Sequence, residues 1–254
     1  MKQMWIALLL IIAAIPSFSA QTAEQTPVAN ADHSMHQGHE MHMEHGDAVD
    51  DAAAAAKRIA DKKESEFNHH LAGFFVVLGG LFMLAQGWLT NRWPPTKYIW
   101  PLTFLLSGLF VMVWSDTELW PFHDHSWLES LQNNPEVLQH KTFAVLLLAL
   151  GGIEWGRVTG RLNGAWARLV FPVLAIGGSI LLLFHRHEAG MHGPDHMEAM
   201  ARIQSEHMQY AVVGIGLGIA KALADIKTRG QTIFATLWPV FMIGLGILLM
   251  FYTE

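Results

Sequence analysis

From residue 70 onward, apolar runs of membrane-spanning length alternate with shorter polar segments. A helix needs roughly 20 apolar residues to cross the hydrocarbon core of a bilayer. The pattern therefore predicts an all-α membrane protein, a bundle of six transmembrane helices. We place the six spans at residues 70–90, 98–115, 140–156, 165–184, 207–226 and 231–252.

The first 68 residues differ from the rest of the chain. Residues 1–20 have the pattern of a signal peptide, because Lys2 precedes a short apolar run over Met4–Ile15. An uncleaved anchor is the alternative reading, although the run is short for a span. Residues 21–68 lack an apolar run and predict a periplasmic His/Met-rich tail, disordered or partly helical, that ends in an Ala-rich spacer helix. Residues 69–254 then form the six-helix transmembrane domain.

Composition supports a membrane protein and excludes other classes. The chain is 52% hydrophobic and only 15% charged, which is too apolar for an ordinary soluble domain. Its net charge of -6 excludes a strongly basic nucleic-acid binder. The absence of cysteine excludes disulfides and thiolate metal sites, so that any sulfur ligand must come from methionine.

The distribution of basic residues predicts the orientation. Loops on one side of the predicted bundle carry only Arg186 and Arg202, together with many acids. The segments on the other side carry Arg92, Lys97, Arg157, Arg161, Arg168, Lys221, Lys227 and Arg229. The positive-inside rule places this second side in the cytoplasm. We therefore expect a protein of the bacterial inner membrane with both termini in the periplasm.

All fifteen histidines fall on the predicted periplasmic side. The densest group is the segment HSMHQGHEMHMEH, whose thirteen positions hold only polar, acidic, His, Met and Gly residues without hydrophobic periodicity. The alternative is a tail of biased composition that has no function. We expect instead that it gathers metal loosely through His33, Met35, His36, His39, Met41, His42, Met43 and His45.

Histidines at the ends of spans are better placed to form a fixed site. His70, His140, His185 and His207 each begin or end a different predicted span. We predict that His70, His185 and His207, with His140 or Met200 as a fourth contributor, meet at the outer mouth of the bundle. The alternative is that these rings lie at the membrane interface as amphipathic tips.

The loop before the fifth span adds further candidate ligands, His187, His192 and His196. A helix is predicted from Asp195 to Met208, with Asp195 as its N-cap. On that helix His196 and Met200 are four residues apart and share a face, so that the pair could bind one ion. The alternative is a short amphipathic helix lying on the membrane.

The ligand types favour copper, because imidazole and thioether together suit Cu(I) and Cu(II) better than zinc. Zinc and haem are the less favoured alternatives. A membrane b-type cytochrome would hold haem between two of the span-end histidines. An assembly factor that delivers metal to a periplasmic or respiratory enzyme is a further alternative. No motif for nucleotide binding or for a catalytic nucleophile is present, so an enzyme is less favoured.

Two charged residues lie inside predicted spans. Glu154 and Lys221 each lie 14 residues beyond a histidine that begins a span, His140 and His207, and therefore at a similar depth. Ionisable residues within a membrane are functional candidates. We predict an intramembrane ion pair between Glu154 and Lys221.

The chain resembles the bacterial copper-resistance membrane proteins of the copper resistance protein D type. The residues that carry the resemblance are NHHLAGFF at 68–75, FHRHEAGMHGPDHM at 184–197 and EHMQYAVVGIGLGIAKAL at 206–223. The resemblance covers roughly residues 68–252 and is one of character rather than of a signature motif. It implies copper import or tolerance, with a periplasmic copper chaperone or a metalloenzyme as partner besides the lipid bilayer.

Overall fold

The computed structural model describes residues 44–119, 121–184, 194–226 and 230–253. These residues are almost entirely helical and contain no strand, which confirms the all-α class. The six long helices are α1 (Glu44–Arg92), α2 (Ile99–Trp114), α4 (Pro135–Val158), α5 (Ala165–Leu182), α6 (Pro194–Asp225) and α7 (Gln231–Met250). A 3-10 helix (Pro94–Tyr98) precedes α2, and the short α3 (Trp127–Asn133) precedes α4.

Five stretches are long and apolar enough to cross a membrane: Ala55–Arg92, Pro94–Trp114, Pro135–Val158, Ala165–Leu182 and Gln231–Met250. The helix α6 is not among them. It is 32 residues long but carries His207, Lys221 and Asp225 within its length, and polar residues lower the hydropathy of any window. The prediction of helices that can cross a membrane is thus confirmed for five helices, and the sixth span stays a prediction.

The six long helices form a closed ring. Each packs against two neighbours, in the order α1, α2, α4, α5, α6, α7 and back to α1. Within the described residues no other pair of these six helices comes into close backbone contact. Side chains from all six helices fill the axis of the ring with a core that includes Val76, Phe104, Leu150, Phe171 and Met242.

Several helices begin earlier than their apolar runs predict. The Asn134 side chain caps α4 by accepting hydrogen bonds from the backbone N–H groups of Glu136 and Val137, so that the helix begins at Pro135 rather than near residue 140. The helix α6 already begins at Pro194, so Asp195 lies inside its first turn and the prediction of Asp195 as N-cap is wrong.

Both predicted extramembrane helices are continuous with spans. The predicted helix from residue 195 to residue 208 is the first part of α6. The spacer helix and the first predicted span are likewise one helix, α1, of 49 residues. No break at residue 68 therefore separates the spacer from the bundle.

The helices α1 and α7 approach each other closely at two glycines. A Cβ atom added to Gly73 would lie 2.6 Å from the carbonyl oxygen of Gly246, and one added to Gly246 would lie 2.7 Å from that of Gly73. Only hydrogen fits at either position. Small residues therefore hold the first and last helices of the ring together, as is common in membrane bundles.

Candidate functional sites

A cavity of about 890 Å³ opens at the end of the ring where the described histidines lie. His69 of α1, His140 of α4 and His207 of α6 line it, and we call it the histidine cavity. Apolar side chains such as Phe143 and Leu245 extend its wall into the bundle. The charged lining residues are Asp61, Glu64, Asp116, Glu118 and Glu136, together with Lys57. With five carboxylates and one ammonium, the lining concentrates cations.

An aromatic cluster orders two of the three histidines. His207 is only 2% exposed, and its ring centroid lies 6.2 Å from that of His69. His69 in turn stacks on Tyr252 with the centroids 3.9 Å apart. The ring atom Nδ1 lies 2.8 Å from a backbone oxygen in each case, that of Ser65 for His69 and that of Ile203 for His207. Packing and hydrogen bonding thus fix both rings.

His140 belongs to a buried charged group. Its Nδ1 atom lies 3.0 Å from Oδ1 of Asp116, whose Oδ2 atom lies 2.7 Å from Nζ of Lys141. Burial alone would raise the pKa of Asp116, but the hydrogen bonds from His140, Lys141 and Ser115 outweigh it and hold that pKa below its ordinary value. Asp116 therefore carries a negative charge that positions the His140 ring.

The three histidines share one hydrogen-bonding arrangement. In His69, His140 and His207 the Nδ1 atom faces an oxygen acceptor, so that Nδ1 carries the proton in the neutral ring. The lone pair is then on Nε2. This is the tautomer found in metal-binding histidines, whose second nitrogen donates to a carboxylate or a carbonyl.

The other predicted ligands are distributed differently. The Nε2 atom of His70 lies 3.0 Å from the backbone oxygen of Tyr252, and the neighbouring His69, not His70, lines the histidine cavity. Met200 is partly buried on α6. The remaining candidates, or their side chains, lie outside the described residues: residues 33–43, His45, His185, His187, His192 and His196. Among the described residues, no three His, Cys, Asp or Glu side chains are close enough to hold a metal ion.

A second cavity, of about 400 Å³, lies at the opposite end of the ring. It is lined by Glu154 and Arg157 of α4 and by Lys221 and Asp225 of α6, and we call it the ion-pair cavity. Nη1 of Arg157 lies 2.5 Å from Oε1 of Glu154 and 3.0 Å from Oδ2 of Asp225. Nζ of Lys221 lies 3.9 Å from the same Glu154 oxygen and also pairs with Asp225.

The structure thus brings Glu154 and Lys221 together, as the sequence predicts, and places them in a larger group. Arg157 and Asp225 complete a neutral set of two cations and two carboxylates across α4 and α6. Sequence reasoning missed both residues, because they lie at helix ends where a charge has an ordinary solvated explanation. One signal was available: Arg157 follows Glu154 by three residues, and Asp225 follows Lys221 by four, spacings that place each pair on one helix face.

Comparison with known proteins finds no relative. No family model, no curated protein and no solved structure matches the chain. The geometry and chemistry of the two cavities are therefore the basis for an inference about function.

Proposed function

We propose that this protein binds copper at the histidine cavity and takes part in copper handling, that is, in resistance, uptake or delivery. The observation that carries the proposal is the common arrangement of His69, His140 and His207. Three helices bring these side chains to one cavity, and each ring has the hydrogen-bonded Nδ1 that is typical of metal-binding histidines. The excess of carboxylates around the cavity supports a cationic ligand.

Copper is favoured over zinc by the methionines of neighbouring segments, although among the described residues no methionine lines the histidine cavity itself. Met200 lies on α6 two turns before His207, and the chain pairs Met with His repeatedly in the segments next to the bundle. The described histidines do not form a complete site by themselves. We propose that His185, His187, His192 or His196, which belong to the segment between α5 and the start of α6, complete it.

The proposed setting is the inner membrane, with the histidine end in the periplasm. Five apolar helices of sufficient length support the membrane, and the placement of the basic residues supports the orientation. A reporter that is active only in the cytoplasm, fused after Glu254, should be inactive. Activity of that fusion would overturn either the orientation or the sixth span. A periplasmic copper chaperone or a metalloenzyme is the proposed partner.

Metal analysis and a competition titration with Cu(I) on the purified protein test the copper proposal. We expect one tight copper ion per chain, and no Soret band, which a b-type cytochrome would show. His207→Ala and His140→Ala should each weaken the tight site at least tenfold. His123→Ala is the matched control, because His123 lies in an exposed loop with Nδ1 2.7 Å from the backbone oxygen of Thr117.

Two outcomes would overturn the proposal. The first is zinc or haem, in place of copper, in the purified protein. The second is unchanged affinity for copper in both the His207→Ala and the His140→Ala variants, provided that each variant unfolds at the wild-type temperature.

A further inference from the structure

The two cavities lie on one axis. Every long helix of the ring contributes lining residues to the histidine cavity at one end and, directly or with the loop beside it, to the ion-pair cavity at the other. No long helix crosses the middle of the ring among the described residues. The two cavities therefore lie at opposite ends of the ring, with the buried core between them.

The distance between the linings of the two cavities is shortest on α4 and α7. On α4, Leu147 lines the histidine cavity and Glu154 lines the ion-pair cavity, two helical turns or about 10 Å apart. The same spacing separates Leu245 from Trp238 on α7. On the other four long helices the two linings are 11 to 14 residues apart, or about 17–21 Å. The hydrocarbon core of a bilayer is about 30 Å thick, so the closed layer takes up roughly one third to two thirds of that distance.

Four aromatic side chains form this layer, and we call them the aromatic plug: Trp100, Phe104, Phe171 and Trp238. Their ring centroids lie 5.5 Å apart for Trp100 and Trp238, 5.6 Å for Phe104 and Phe171, and 5.9 Å for Phe171 and Trp238. All four side chains are buried. Met242 is fully buried beside them and adds a thioether to this layer.

A fixed cation lies against the plug on the side of the ion-pair cavity. The ammonium of Lys221 is 5.2 Å from the centroid of Trp238 and 5.7 Å from that of Phe171. Aromatic faces attract cations electrostatically, and more strongly when water is excluded. Lys221 is only 3% exposed. Its ammonium therefore occupies the position that a mobile cation would reach first on passing the plug.

We propose that the two cavities are the ends of one path along which a cation crosses the ring. The aromatic plug closes the path, and Lys221 is a tethered cation that must move aside for passage. The identity of the cation rests on the proposed function, which makes copper the expected cargo. The path itself rests on the ring, the two cavities and the plug.

Uptake into proteoliposomes that contain a copper-sensitive dye tests the path. Wild-type protein should carry Cu(I) inward faster than protein-free liposomes allow. Ala224→Phe should reduce uptake at least tenfold, because Ala224 lines the ion-pair cavity and a phenyl ring would fill it. The control is Ile219→Phe on the same helix, since Ile219 is 49% exposed on the outside of the ring and its replacement should leave uptake unchanged.

The copper-binding titration separates this proposal from the proposed function. Copper binding without uptake in the wild type would overturn the path and leave the binding site intact. If copper neither binds nor crosses, the same liposomes are tested with Zn²⁺ and Tl⁺. Uptake of either ion that Ala224→Phe abolishes would support the path with another cargo, and no uptake of any ion would overturn it.

The role of Lys221 has its own test. Lys221→Met combined with Glu154→Gln removes the tethered cation and leaves Arg157 facing Asp225, so that the group stays neutral and the fold should persist. We expect uptake to become severalfold faster in this double variant. Lys97→Met is the control, because Lys97 lies at the same end of the ring but outside the ion-pair cavity, over Tyr98. Unchanged or slower uptake in the folded double variant would overturn this role.

Discussion

The histidine cavity and the ion-pair cavity share one ring of helices but differ in how their polar groups are arranged. In the histidine cavity, imidazoles lie among an excess of carboxylates, so that the lining attracts a cation from outside. In the ion-pair cavity, two carboxylates already meet two cations of the same chain, and the exposed Arg168 adds a third cation to the lining. The comparison shows an excess of negative charge in the first cavity, whereas the second has none.

The largest effect should come from unbalancing the ion-pair cavity. Glu154→Ala leaves the buried Lys221 and the partly buried Arg157 facing one carboxylate, which should lower the free energy of unfolding by about 3–5 kcal/mol. Denaturant unfolding of the detergent-solubilised protein measures this loss. The double variant Glu154→Gln with Lys221→Met restores neutrality and should regain at least half of it. A single variant as stable as the wild type would show that charge balance does not matter here.

Near the histidine end, in contrast, helix packing should make the main contribution to the free energy of unfolding. Gly246→Ala places a methyl group against the backbone of Gly73, and such overpacking should cost about 3 kcal/mol in unfolding free energy. Gly152→Ala is the matched control, because a Cβ there meets nothing within 4 Å. That change should stabilise α4 by up to about 1 kcal/mol. Equal effects in the same unfolding assay would contradict the close contact between α1 and α7.

At the histidine end, the contribution of Asp116 to the free energy of unfolding should also depend on pH. Because the folded state lowers the pKa of Asp116, it binds that proton more weakly than the unfolded chain does. The stabilisation is complete at neutral pH, begins to decline near the ordinary Asp pKa of about 3.9, and is lost as pH falls through the folded pKa.

Asp116→Asn should therefore lower the unfolding free energy by about 2 kcal/mol at pH 7 and much less near pH 3. Unfolding midpoints of the wild type and the variant between pH 3 and pH 7 measure the difference. A constant gap between the two proteins over this range would mean that Asp116 does not titrate as described.

The smallest effect on stability should come from removing residues 21–43, which precede α1. We expect less than about 0.5 kcal/mol, because these residues lack the apolar run that a packed core requires. The number of copper ions per chain should fall, while the affinity of the tightest site stays the same, since a tail must lose entropy to bind. Loss of all copper binding would place the main site in the tail.

Sequence reasoning could predict the helices because each apolar run must be buried in lipid or protein. It predicted α6 as a helix from residue 195 that continues into a span over residues 207–226, and the helix runs from Pro194 to Asp225. The start of α4 at Pro135 was missed, because a polar first turn carries no apolar signal.

The sites were less predictable than the helices. Whether His69 or His70 lines the histidine cavity depends on a rotation of about 100° between successive residues of α1. The apolar pattern does not define the helix face that closely. The contact of Arg157 with Asp225 joins helices that are not neighbours in the ring, and the chain carries no local sign of it.

Because α1 is unbroken, it also sets the distance between its first residues and the histidine cavity. Its 24 residues from His45 to His69 rise by about 36 Å at the helical repeat. Glu64 accepts hydrogen bonds from Thr117, and Lys57 pairs with Glu118, so that the loop after α2 supports the half of this length that is nearer the bundle. From His45 to Lys57, the first residue of α1 that lines the histidine cavity, the helix rises by about 18 Å. Under the proposed function, an ion bound at the start of α1 would have to travel this distance along the helix to reach the cavity.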